Sequence, residues 1–211
     1  PDEHGYCSCG LNADFIREGV EMADRVIMQV NDQMPRNGSM DSMVHISEVD
    51  RIVHCDEPMP AFPRTEITEV ERKIGENCAS LVEDGCTIQV GIGAIPDAVC
   101  QALMTKKNLG VHSEMISDGI MDLYKAGVIT NTEKSRQKRT MLASFVMGSQ
   151  ELYDFVDENP AVTLMKAAYV NNPFTIAKCS NLVCINTCIE VDLMGQVVSG
   201  SSGLRNISGS G

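Results

Sequence analysis

The stretch from Thr87 to Gly119, TIQVGIGAIPDAVCQALMTKKNLGVHSEMISDG, constrains the fold more than any other part of the chain. Residues 86 to 92 alternate polar and β-branched side chains as a strand does, and Gly91 and Gly93 then permit a tight turn with backbone close to a ligand. A helix follows. Pro96 suits its first turn, Asp97 complements its positive end, and Ala98, Val99, Ala102 and Leu103 form its apolar stripe, with Lys106 and Lys107 closing it. A second strand, Leu109 to Met115, must run parallel to the first because a helical crossover joins them. Ligands of open α/β sheets bind beyond the carboxyl ends of the strands. The amides around Val90 to Gly93 and the carboxylate of Glu114 are therefore expected to face one crevice, with His112 and Glu114 on one strand face.

The flanking sequence extends this α/β pattern. Asn12 is placed to cap a helix carrying Phe15, Ile16, Val20 and Met22, and RVIMQVN at 25 to 31 is the nearly continuous apolar run of a buried parallel strand. Three prolines within six residues hold HCDEPMPAFPR, 54 to 64, extended and mark an expected domain boundary. Thr65 is then expected to cap a helix with Glu66 and Glu69 in its first turn and Ile67, Val70, Ile74, Cys78 and Leu81 on one face. Beyond the central unit, Asp118 to Lys125 reads as a short helix and EKSRQKR, 133 to 139, as a solvated basic loop. ASFVMG at 143 to 148 reads as a buried strand, and QELYDFVDEN as a helix that ends before Pro160. LVCINTCIEVDLMGQVV, 182 to 198, predicts two extended runs joined at Met194-Gly195.

Charge and composition narrow the function classes. Seventeen Lys and Arg against 29 Asp and Glu leave a net charge of −12, which argues against nucleic acid or an anionic membrane as partner. No run approaches a membrane span, and the N-terminus lacks signal-peptide architecture. The nine cysteines fall mostly in apolar contexts such as Cys78, Cys100, Cys184 and Cys188, the pattern of buried free thiols in a reducing cytoplasm. A chain that begins without Met and ends in GLRNISGSG is expected to be an excerpt of a longer one.

Among the candidate chemistries, GIGAIP has Pro96 where a dinucleotide fingerprint needs its third glycine, so nicotinamide binding is not expected. His112, Glu114 and Asp118 make a weak metal pattern, Cys7 and Cys9 sit too close for a CxxC site, and no metal is expected. Glu190 and Asp192 share a strand face, which an edge strand explains more simply than an acid pair. No GxSxG-type nucleophile accompanies the histidines. Glu114 stands out, because burying an unpaired carboxylate in an apolar strand costs several kcal/mol, roughly the scale of a polar group without partners. A structural hydrogen bond or salt bridge is the alternative to a functional role.

The motifs VNDQMP at 30 to 35, VHISEVD at 44 to 50, QVGIGAIPDAV at 89 to 99, GVHSEMISDGIMDLY at 110 to 124, LYDFVDENP at 152 to 160 and INTCIEVDLMGQV at 185 to 197 occur in this order. Together they resemble the acetyl-CoA hydrolase/transferase family over the whole chain. The resemblance implies two similar open-sheet α/β domains facing each other across the active site. Residues 1–63 would be the end of a first domain only partly present, and 64–211 most of the second. It implies Glu114 as the nucleophile and an oxyanion and substrate site at Gln89, Val90, Gly91 and Gly93. Asn171 of YVNNP would join them, and Gly209 and Gly211 would contact CoA. It implies transfer of CoA between a short-chain acyl-CoA and a small carboxylate such as acetate through a glutamyl-CoA thioester, or hydrolysis by the same glutamate. Coenzyme A would be substrate rather than bound cofactor, the protein a homo-oligomer, and a non-catalytic ligand-sensing domain the rival of another class.

Overall fold

Parallel strand pairing organises the centre of the molecule, as the crossover argument requires. The computed structural model describes residues 1–208, so the expected CoA contacts Gly209 and Gly211 lie outside the described residues. The first quarter contains β1 (Tyr6–Ser8), α1 (Ile16–Met22), β2 (Ile27–Val30), β3 (Met43–His45) and β4 (Arg51–His54). β1 pairs antiparallel with β3, and β2 pairs parallel with β4. There follow α2 (Glu69–Ser80), β5 (Thr87–Val90), α3 (Ala94–Ala102), β6 (Gly110–Val111), β7 (Met115–Ile116) and α4 (Asp118–Lys125). The next elements are β8 (Met141–Ala143), β9 (Phe145–Val146), α5 (Gln150–Val156), β10 (Val162–Leu164), α6 (Ala167–Val170), α7 (Pro173–Ile176) and β11 (Leu182–Ile185). Short strands β12 (Glu190–Val191), β13 (Val197–Val198), β14 (Ser201–Ser202) and β15 (Arg205–Asn206) close the described chain as two hairpins.

β11, β5 and β6 form one parallel sheet in that order, β7 pairs parallel with β9, and β8 pairs parallel with β10. A parallel bridge between His112 and Leu142 knits β6 to β8. Ile88, Leu103, Leu109, Ile116, Ile120, Met121, Leu123, Met141, Leu142, Leu152 and Leu164 are fully buried, so the core lies between these strands and the helices over them. α2 lies so close on α3 that a Cβ on Gly75 would stand 2.5 Å from the carbonyl oxygen of Ala98. Among the described residues no helix is long and apolar enough to cross a membrane.

Several expectations need correction. The helix after the proline segment starts at Thr68, not Thr65. Thr68-x-x-Glu71 makes a reciprocal capping box, with Glu71 accepting from the Thr68 N–H at 2.7 Å, whereas Thr65 has Thr68 and no carboxylate three residues on. Asn12 likewise caps no helix; its Oδ1 accepts from the Asp14 N–H at 2.8 Å in a local turn, and α1 begins after Phe15. The strand at 25 to 31 is parallel but not buried: Ile27 is 70% exposed, and every residue of β4 is exposed. Cys184 and Cys188 are exposed, although all nine cysteines are free. The basic loop is exposed except at half-buried Gln137 and at Lys134, which is buried and donates to the carbonyls of Val111 and Thr140 at 2.7 Å each.

Other expectations hold. α4 occupies Asp118–Lys125, and α5 ends at Val156. Residues 55 to 68 form neither helix nor strand. This proline segment is strapped to the body by Phe62 N–H donating to the Gly148 carbonyl at 2.9 Å and by Tyr153 Oη donating to Pro60 at 2.9 Å. Arg64 adds ion pairs to Asp122 at 2.5 Å and Glu151 at 3.3 Å. Asp192 proves to be a turn residue, its Oδ1 accepting from the N–H groups of Met194 and Gln196 to shape the β12–β13 hairpin.

Candidate functional site

The expected strand from Leu109 to Met115 is interrupted between β6 and β7, and the candidate Glu114 sits in the interruption. His112 N–H donates to Ile88 on one side and Ser113 N–H to Leu142 on the other, as in an extended strand between two neighbours. At Glu114 the pattern changes. Its carbonyl accepts from both Ser144 N–H at 2.8 Å and Phe145 N–H at 3.1 Å, two residues opposing one in a bulge of the Ser144–Phe145 strand, and the chain itself bends at Glu114. His112 is accordingly buried while Glu114 is exposed, so the two do not share a face as alternation predicts. The expected burial of Glu114 is wrong for the same reason: its neighbours Ser113 and Met115 are buried, and the bend carries the carboxylate out to the surface.

The glycine turn lies beside it. β5 ends at Val90, and Gly93 adopts φ +108° before α3, a conformation that side chains rarely take. Because Asp97 N–H makes the first turn's bond to the Gly93 carbonyl, the N–H groups of Gly93, Ala94 and Ile95 are the unsatisfied donors of a helix start. Pro96 has no N–H to leave unpaired there. Ser113 Oγ donates to the Val90 carbonyl at 3.3 Å, tying the turn to the segment that carries Glu114. Gln89, farther back on β5, donates through Nε2 to Asn186 Oδ1 at 3.2 Å.

Asn171 sits exposed at the end of α6, and the preceding residue, Val170, accepts a hydrogen bond from His112 Nε2 at 2.8 Å. The structure thus gathers the sequence-derived residues Glu114, Val90 to Gly93 and the Asn171 segment around one end of the parallel sheet. It does not bring His112, Glu114 and Asp118 into a metal cluster; none is present among the described residues. Asp118 instead accepts from Ser149 N–H at 3.0 Å and lies 3.8 Å from Arg64. A cavity of about 240 Å³, lined by Phe62, Arg64, Ile92, Gly93, Ser117 and Asp118, opens next to the glycine turn.

Two residues at this end escape the sequence patterns. Asp14 lies near Glu114; burial first, and then the Glu114 charge, raise its pKa above the ordinary carboxylate value. Its carboxylate lies against the buried Ser144 hydroxyl, which opposes that rise. The backbone explains the proximity, since Ala13 N–H donates to the Ser144 carbonyl and Ser144 N–H to Glu114. Such a long-range row leaves no mark on local periodicity. Lys134, beneath the Val111 carbonyl, is the other, hidden inside a run that reads as surface.

Comparison with known proteins places these features in context. Residues 1–63 match the model of the acetyl-CoA hydrolase/transferase N-terminal domain, and residues 148–211 that of the C-terminal domain. The chain is 52% identical over its whole length to a 4-hydroxybutyrate coenzyme A transferase of Clostridium kluyveri, covering 49% of that protein. It is 44% identical, again over its whole length, to a succinyl-CoA:cyclohexane-1-carboxylate CoA transferase of Geobacter metallireducens, covering 48% of it. The crystal structure of a 4-hydroxybutyrate CoA-transferase from Porphyromonas gingivalis superposes with a TM-score of 0.89 at 43% identity, over 93% of this chain and 50% of that one. The chain spans about half the length of the curated relatives it matches.

Proposed function

The chain belongs to the acetyl-CoA hydrolase/transferase family, and we propose that it carries the catalytic glutamate of a CoA-transferase acting between a short-chain acyl-CoA and a small carboxylate such as acetate. Residues 1–63 are, in this reading, the end of the first catalytic domain, and residues 64–211 most of the second. The observation that carries it is Glu114, a carboxylate exposed between buried neighbours and tied through Ser113 Oγ to the strand end before the glycine turn.

Glu114 attacks the acyl carbonyl and expels the CoA thiolate, giving a mixed anhydride; the thiolate then attacks the glutamyl carbonyl and expels the acyl group as its carboxylate. The resulting glutamyl-CoA thioester accepts a second carboxylate through the reverse steps, which returns the free glutamate. Amides at Val90 and Gly91 stabilise the tetrahedral oxyanions without any proton transfer. Gln89, Gly93 and Asn171 complete the wall of the substrate site. The two relatives above are named for different acids, so the acyl group of this protein stays at the level of its class.

The test uses the full-length protein and acyl-CoA without an acceptor acid. Borohydride then reduces the thioester to an alcohol, and the peptide spanning Glu114 loses the mass difference between a carboxyl and a hydroxymethyl group. An unmodified Glu114 peptide while acyl-CoA is consumed would refute the mechanism. Hydrolysis by the same glutamate is a second reading, supported by an acetyl-CoA hydrolase of Neurospora crassa that is 24% identical over 99% of this chain; water then resolves the acyl-glutamyl group in place of a second carboxylate. Release of CoA that does not depend on added carboxylic acid would select it.

A further inference from the structure

We infer that His112 is a positioning residue for the proposed transfer reaction: its neutral imidazole, protonated at Nε2, pins the strand carrying Glu114 to the Val170–Asn171 turn. The inference rests on the assignment of Glu114 and Asn171 to one site and extends it to the buried layer beneath them.

The ring is fixed from both sides. Nε2 lies 2.8 Å from the Val170 carbonyl oxygen, which can only accept, so Nε2 carries the hydrogen. Nδ1 lies 3.4 Å from Cys179 Sγ, and a neutral ring accepts the thiol hydrogen there. The Thr175 carbonyl, at 3.6 Å, is the thiol's other acceptor. Lys134, bound to the Val111 carbonyl next door, sets a positive charge against a second one on the ring. Burial first, and that charge in addition, hold the His112 pKa below its ordinary value, against the opposing bond to Val170.

The consequence for the site is geometric. His112 is two residues before Glu114 on a segment held by β5 and β8, whereas Val170 ends the four-residue α6, too short to be rigid by itself. No other side-chain hydrogen bond among the described residues joins the 110–114 segment to residues 167–171. The imidazole therefore sets the spacing between the nucleophile and the Asn171 amide across the substrate, and misplacement on the order of 1 Å costs about a hundredfold in rate.

Two isosteric variants of the full-length protein separate this role from packing. The amide nitrogen of His112→Gln can stand where Nε2 stands and donate to Val170; that of His112→Asn falls near Nδ1 and cannot. We expect His112→Asn to lower kcat by about 10- to 100-fold with little change in KM for the acyl-CoA, and to slow borohydride trapping at Glu114 in parallel. His112→Gln should keep kcat within about fivefold of the parent protein. Folded His112→Asn with unchanged kcat and trapping rate overturns the proposal, and so does equal impairment of both variants, which would assign the ring to packing alone. Should His112→Asn fail to fold, nitrogen-15 NMR of the histidine-labelled parent decides: a neutral ring with hydrogen on Nε2, assigned by its loss in His112→Gln, supports the proposal. A ring protonated on Nδ1 overturns it. Absence of trapping in the parent protein is failure of the transferase reading, and the NMR result is independent of it.

Discussion

The hydroxyl of Ser113 donates to the carbonyl of Val90 at 3.3 Å, so the residue before the candidate nucleophile is tied to the residue before the glycine turn. Glu114 and the turn amides are thereby held as one unit, and the carboxylate needs no partner of its own to be placed. Glu114→Gln keeps size and polarity but cannot attack a carbonyl. In the full-length protein it should lower transferase activity by roughly a thousandfold or more while leaving the unfolding midpoint unchanged. Glu190→Gln, on an exposed hairpin strand, should leave turnover near normal. Steady-state kinetics on the pair checks this, and the reverse ranking would remove Glu114 from the mechanism.

The start of α2 gives a stability test. Thr68 accepts from Glu71 N–H and Glu71 accepts from Thr68 N–H, so Thr68→Ala removes one side of a reciprocal cap and should cost about 1 kcal/mol. Thr65→Ala touches no helix end and should change stability by only about 0.5 kcal/mol or less. Urea midpoints at constant slope measure both.

Gly75 sits inside α2, where replacing an exposed glycine by alanine would stabilise the helix by about 1 kcal/mol. Here the added Cβ would meet the Ala98 carbonyl at 2.5 Å and the Val99 nitrogen at 2.9 Å, backbone atoms that cannot swing aside. Overpacking of about 1–3 kcal/mol then outweighs the propensity gain. Gly75→Ala should be destabilising in urea titration, and a stabilised variant would mean that α2 and α3 separate easily.

These outcomes also show what a sequence can disclose about this fold. The βαβ unit was legible because its signals are local: alternation before Val90, glycines at 91 and 93, and Pro96 in the first helical turn. Asp118–Lys125 and the turn at Met194–Gly195 were legible for the same reason. The bend at Glu114 was not, because it falls at a long-range contact in which Ser144 and Phe145, about thirty residues away, both bond to one carbonyl. Asp14 was hidden by a similar long-range row, and Lys134 by its charged neighbours at 133 to 139. The cap moved from Thr65 to Thr68 although Thr68-x-x-Glu71 stood in the sequence, which shows that a single capping residue is a weaker signal than the reciprocal pair.

Lys134 supplies the last prediction, since its environment fixes both the sign and the pH window. Burial lowers its pKa from 10.5 to about 8, partly offset by Cys179. Above pH 10.5 the amine is neutral folded or unfolded, and the stability due to the shifted pKa is fully present. As the pH falls, the unfolded chain takes up the proton first, so that stability is progressively lost until the folded amine also protonates near pH 8. Over this window the loss is about 3 kcal/mol, from roughly 1.4 kcal/mol per pKa unit. Lys134→Met removes the titration but leaves the carbonyls of Val111 and Thr140 without their donor, which costs about 1–3 kcal/mol for each group at every pH. The variant should therefore be less stable than the parent at pH 10.5, with the gap narrowing towards pH 8. Other groups that titrate in this range cancel in the difference between the two proteins. Urea unfolding at a series of pH values measures that difference, and a gap independent of pH would mean that the Lys134 amine is solvated and not held beneath the Glu114 segment.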